Sequence, residues 1–186
     1  MDTVGHNAEV QRDERDYSHL HPLEKIVVKN EHSERLKQVW YKLSTKCPEV
    51  FCDQTKGDGA YYIMVLTTPG SVHFYWGDKG VVSVMDILPK SSASVHIAFW
   101  EPVEVKEKIE VLQRLFTWLF KEFQLNRLTV AIPEFAKGAK GLALLMGFRF
   151  EGALRKGILY EGRYFDTQLY GLLRSDFEQG ARTAVN

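Results

Sequence analysis

Four ionisable side chains, His73, Asp86, His96 and Glu101, stand in or beside apolar runs near the middle of the sequence. An imidazole or carboxylate in such a place can take the proton from an attacking amine, the task of a general base in group transfer. The same residue types also serve as ordinary strand residues whose hydrogen bonds are satisfied. Farther along, Lys137, Lys140, Arg149, Arg155, Lys156 and Arg163 make the last third locally basic. That group suits a phosphate or an acidic partner, with Lys137 and Lys140 singled out for a protein partner, against the plainer reading of a solvated face. Cys47 and Cys52 flank Pro48, and His19 and His21 have no cysteine or carboxylate at ligand spacing, so neither pair forms a zinc pattern and no metal is expected. No phosphate-loop lysine motif, nucleophile elbow or Rossmann glycine run occurs.

The chain that must position these groups has 186 residues, enough for one domain with a real core. Lys plus Arg and Asp plus Glu number 24 each, so no global field draws it to nucleic acid or an anionic membrane, and neither is expected as a partner. The longest wholly apolar run, Tyr61 to Leu66, is far short of the roughly 20 residues of a membrane span. The polar start, Met1 to Asp16, has no secretory h-region, and cytoplasmic residence is expected.

Residues 1–21 carry mixed charge and few apolar positions, which predicts a loose arm ahead of a single domain over 22–186. Ser33 is a candidate N-cap, followed by Leu36, Val39, Trp40 and Leu43 at the spacing of one helical face, with a stop near Pro48. Tyr61–Thr67, Val72–Trp76 and Val81–Leu88, separated by Pro69-Gly70 and a Gly77–Gly80 turn, predict a three-stranded antiparallel meander. Its aromatic residues, Tyr61, Tyr62, Phe74, Tyr75 and Trp76, belong either to the core or to a docking face. Ser94–Trp100 reads as a strand ending at Glu101. From Glu104 to Phe123 the period changes to that of an amphipathic helix, with Val105, Ile109, Leu112, Phe116, Leu119 and Phe123 on its stripe. A strand over Leu128–Ile132 completes a parallel crossover. A helix over Ala136–Met146 is closed by Gly147 as a left-handed cap, and strands over Phe148–Leu154, Gly157–Tyr160 and Arg163–Leu173 turn at Glu161-Gly162.

This order, together with Gly147-Phe148, Glu151-Gly152, Arg155, Gly162, Asp166 and Tyr170, resembles the Gcn5-related N-acetyltransferase (GNAT) superfamily over about the last hundred residues. Its ribosomal-protein-modifying branch is similar at this end. The strand His96-Ile97-Ala98-Phe99 and the helix segment Trp118-Leu119-Phe120 are more similar still to small GNAT-like proteins of tailed bacteriophages. The resemblance implies an α/β three-layer domain. Its mixed sheet would combine an antiparallel meander, a parallel crossover and a closing antiparallel hairpin, with helices on both faces. It implies acetyl coenzyme A as cosubstrate, received near Phe99, Trp100, Lys106 and Lys108, and an opening beside Glu101, which makes that carboxylate the candidate base.

Two departures bear on that implication. Catalytic members close glycine amides on the coenzyme pyrophosphate ahead of the long helix. Here the stretch carries Glu101, Glu104 and Glu107 and no glycine, with Lys106 and Lys108 as partial compensation. Where the family has an Asn and a hydroxyl on the following helix, this chain has Ala136 and Ala143. The resemblance therefore implies either an N-acetyltransferase with an altered or lost coenzyme site, acting on a protein or small amine, or a non-catalytic phage virion or head-assembly protein. In the second case the chain would reside in host cytoplasm or particle.

Overall fold

The computed structural model describes residues 15–26 and 34–183; the first fourteen residues of the expected arm and the Ser33 cap lie outside them. Seven strands form one sheet: β1 (Leu23–Lys25), β2 (Val72–Trp76), β3 (Gly80–Leu88), β4 (Ser92–Phe99), β5 (Arg127–Pro133), β6 (Arg149–Tyr160) and β7 (Arg163–Leu173). Their order across the sheet is β1-β2-β3-β4-β5-β7-β6. Among the described strands only β4 and β5 run parallel, as the crossover between them requires. Among the described residues five α-helices complete the fold: α1 (Glu34–Lys46), α2 (Gly59–Leu66), α3 (Val105–Glu122), α4 (Lys137–Leu145) and α5 (Arg174–Thr183).

The sheet is covered on both faces. Leu112, Leu115, Phe116 and Leu119 of α3 pack with Phe74, Trp76, Val82, Val84 and Val95 on one side, and Ala143 of α4 joins the same cluster. Each large side chain buried there contributes roughly 1.5–3 kcal/mol. On the other side Leu36, Val39 and Leu43 of α1 and Leu66 of α2 pack on Tyr75, Val81 and Trp100. All five residues of β2 are buried in consequence. Phe74, Tyr75 and Trp76 are therefore core, which removes them from the expected docking face.

Residues 61–67 are the main correction. They lie largely in α2, where a strand was expected. The run Tyr61-Tyr62-Ile63-Met64-Val65-Leu66 is apolar all round, so its composition favours a strand while its period decides nothing. The deciding contact is local: the Asp58 carboxylate accepts the Tyr61 amide at 2.8 Å and caps the helix. The meander is instead completed by β4, antiparallel to β3.

The packed chain also starts earlier than residue 22. Leu20 is fully buried, and the Tyr17 ring lies edge-on to Phe74 at 5.7 Å. The two strand segments expected around Lys156 form one strand, β6, with an irregularity between Leu154 and Ile158. Gly147 takes φ +88° and Phe148 is buried behind it, as expected of a left-handed cap.

Candidate functional site

β4 and β5 pair over only three positions, Ser92 with Arg127, Ala93 with Leu128 and Ser94 with Thr129. Beyond them β4 stays bonded to β3 as far as Phe99, and β5 stays bonded to β7 as far as Pro133. With no ladder bonds between them past Ser94 and Thr129, the two strands part there. The result is an opening with Val95–Phe99 on one flank and Val130–Pro133 on the other. Strand alternation assigns the lining. Ile97, Phe99, Val130 and Ile132 face the α3/α4 side, where they adjoin its core, while His96 and Ala98 face the α1/α2 side. Ser94 and Thr129, both hydroxyl-bearing, sit at the vertex; no spacing rule in the sequence marks them.

α3 starts beside the open end of this gap. No side chain caps it, so the backbone amides of its first turn have no partner inside the helix. The charges around that start balance. Lys79 holds Glu107 at 2.8 and 2.9 Å, and this bond keeps the Glu107 carboxyl below the usual carboxylate range. Lys106 approaches Glu110 at 4.0 Å along the helix. Lys108 places its ammonium 4.6 Å above the Phe99 ring, so these two expected coenzyme-side residues meet.

Trp100 does not join them. It is buried on the α1/α2 side, and its indole donates to the Asp78 carbonyl at 2.6 Å. Glu101 forms an ion pair with Lys46 at the end of α1, and that hydrogen bond and charge hold its carboxyl below the usual range. His96 lies two residues past the vertex. Its surface is open to solvent, yet desolvation by the surrounding protein lowers its pKa, with the charge of Asp86 opposing the shift. His73, in the same row of the sheet through Ser83, is buried and bonded to the Leu66 carbonyl at 2.9 Å. Its pKa is pushed down to about 4 by burial. Lys137 and Lys140 are exposed on α4. Among the described residues no cluster of His, Cys, Asp or Glu could hold a metal ion, and no helix is long and apolar enough to cross a membrane.

No protein-family model matches the chain. In sequence it is similar to YdaF of Bacillus subtilis (strain 168), named as a candidate ribosomal N-acetyltransferase. The two are 26% identical over 102 residues, 53% of this chain and 55% of that protein, so the chain spans about half the length of the curated relative it matches. Among solved structures it is similar to mutant forms of the spermidine/spermine N-acetyltransferase SpeG from Vibrio cholerae. The TM-score is 0.65 at 16% identity, over 86% of this chain and 96% of that one. It is also similar to RimL, a ribosomal alpha-N-protein acetyltransferase in complex with coenzyme A, with a TM-score of 0.64 at 17% identity over 81% and 92% of the two chains. This is the GNAT fold.

Two alanines sit near the diverging parallel pair of this fold. Ala143 is buried in the core, and Ala136 precedes α4 without a side-chain hydrogen bond. No glycine occurs between Gly80 and Gly138.

Proposed function

We propose that the chain is an N-acetyltransferase that takes acetyl coenzyme A into the opening between β4 and β5 and passes the acetyl group to the amine of a protein or small molecule. The carrying observation is the divergence of the strands after Ser94 and Thr129 beside the uncapped start of α3. Ile97, Phe99, Val130 and Ile132 give the α3/α4 side an apolar lining for the pantetheine arm. The free amides of α3 favour the pyrophosphate, and Lys106 and Lys108 add positive charge. Because Lys79 neutralises Glu107, the acidic sequence ahead of α3 repels an anion less than its composition suggests.

In this reading the amine nitrogen attacks the thioester carbonyl, its proton goes to a general base, and the coenzyme thiolate leaves. His96 suits the base better than Glu101. It lies on β4 beside the vertex with its ring neutral near pH 7, whereas Glu101 is held ionised by Lys46 and is a weak proton acceptor. Calorimetric titration with acetyl coenzyme A tests the reading. Saturable micromolar binding supports it, and no binding at millimolar ligand rejects it.

A second reading is favoured by the buried Ala143 and the missing glycines: the scaffold without its chemistry, as in a phage virion or head-assembly protein. The same titration separates the two.

A further inference from the structure

Three polar side chains stand in one row across the middle of the sheet. The register pairs His73 of β2 with Ser83 of β3, and Ser83 with His96 of β4. Strand alternation puts all three on the α1/α2 face, in parity with Tyr75, Val81 and Ala98, which pack there. Directly opposed residues of an antiparallel pair have Cβ atoms about 4.5–5.5 Å apart, so Ser83 lies within side-chain reach of both imidazoles. The two rings sense each other across it: charge on His96 contributes to the lowering of the His73 pKa.

The hydrogen bonds of His73 fix its tautomer. Nε2 lies 2.9 Å from the Leu66 carbonyl, which can only accept, and 3.1 Å from Ser71 Oγ, whose own proton goes to the Thr68 carbonyl at 2.6 Å. Nε2 therefore carries the proton, and Nδ1 is a bare acceptor. Nδ1 is buried, and no group among the described residues bonds to it. Burial also holds the ring neutral, so Nδ1 stays an acceptor near pH 7. A buried acceptor without a partner is costly, and its complement is a hydroxyl beside it. Ser83 offers one: it is buried, and its side chain is committed to no other group among the described residues.

On the far side of His96 the neighbours change. β4 has no ladder partner past Ser94 on the β5 side, so His96 has Ser83 on one flank and the opening on the other. An imidazole so placed can take a proton on the side of the opening only if its second nitrogen, toward Ser83, already carries one. Which nitrogen of a histidine is protonated is set by the hydrogen bond that the other makes.

We propose that Ser83 is a positioning residue for His96 in one chain of hydrogen bonds: His96 N–H donates to Ser83 Oγ, and Ser83 O–H donates to His73 Nδ1. Leu66 fixes His73, His73 fixes the direction of the Ser83 hydroxyl, and Ser83 is left as an acceptor toward His96. The His96 nitrogen that faces the opening keeps its lone pair for the proton of the attacking amine. No proton passes along the chain, and the imidazolium that forms keeps its bond to Ser83. This inference rests on the transferase reading.

The test reads the tautomer of His96 from imidazole nitrogen chemical shifts by NMR in the wild type, Ser83→Ala and Ser83→Thr, with His96→Gln to assign the signals. Calorimetry gives the affinity of each for acetyl coenzyme A, and thiol release gives kcat and KM with n-hexylamine as the probe amine. In the wild type His96 is held in one tautomer. In Ser83→Ala it becomes a mixture of two, and kcat falls about tenfold or more with KM and coenzyme affinity unchanged. Ser83→Thr keeps the hydroxyl on a side chain suited to a strand, and it restores the single tautomer and most of the turnover. A merely structural Ser83 would lower stability and leave the tautomer as it is. One tautomer kept in Ser83→Ala therefore overturns the proposal, as does a mixture already present in the wild type. Should the alanine variant not fold, the wild-type and Ser83→Thr spectra decide, a mixture in either overturning it. If the wild type binds no acetyl coenzyme A, the transferase reading itself fails and the positioning role falls with it, whatever the tautomer.

Discussion

Glu151 on β6 reaches across β7 to Arg127 on β5, and the ion pair passes over Gly171. A Cβ at position 171 would collide with the Glu151 carboxylate and lie 2.7 Å from Arg127 Nη2. Glu151 and a glycine twenty residues later are thus parts of one contact that ties the edge strand β6 to β5 across β7.

Gly171→Ala should destabilise the fold by about 1–3 kcal/mol, the usual cost of overpacking. In a Glu151→Ala background the obstructing carboxylate is gone, and the same change should cost less. Urea unfolding of the four proteins in the cycle measures the coupling; strict additivity would show that Gly171 is not required by this ion pair.

His96→Gln should lower kcat by about a hundredfold or more if His96 is the base. The acid limb of the wild-type rate should fall below the ordinary histidine value of 6.5, because the His96 pKa is lowered. Retained turnover in His96→Gln, with loss in Glu101→Gln, would transfer the role to Glu101.

Lys79→Ala should weaken coenzyme binding by about two- to fivefold, the effect of an uncompensated carboxylate in the first turn of a helix. The loss should shrink at high salt. Calorimetry at two ionic strengths reads both effects, and an unchanged affinity would remove Glu107 from the neighbourhood of the coenzyme.

Acid should destabilise the protein through His73. The folded protein keeps this ring neutral down to about pH 4, while the unfolded chain protonates it near 6.5. The unfolded state therefore binds the extra proton inside this window. The stabilisation is complete above about pH 6.5 and is lost as pH falls toward 4, by about 3 kcal/mol in all. His73→Gln should flatten the stability profile between those values. An equally steep profile in the variant would place the acid sensitivity elsewhere.

The amphipathic stripe of α3, the Gly147 cap, the crossover of β4 and β5 and the closing hairpin were legible in the sequence because each rests on contacts between residues a few positions apart or on a simple period. α2 was not, because the short apolar run Tyr61–Leu66 carries no distinguishing period and its state was decided by the Asp58 cap and by packing on α1. β1 and α5 went unmarked for a related reason. β1 is three residues long and is defined by its pairing with β2, and α5 is fastened by Phe177 against Phe116 and Phe120 of α3.

At the site the division is similar. Residue types and order by themselves determined that ionisable groups would stand along β4 and that positive and negative charge would alternate at the start of α3. Only the tertiary structure decided which of those groups are free to act. Ion pairs join Lys46 to Glu101 and Lys79 to Glu107, residues 55 and 28 positions apart. Asp53 meets the hairpin turn 108 and 109 positions away. Contacts at such separations leave no periodicity in a sequence, since they arise only when distant elements are packed side by side.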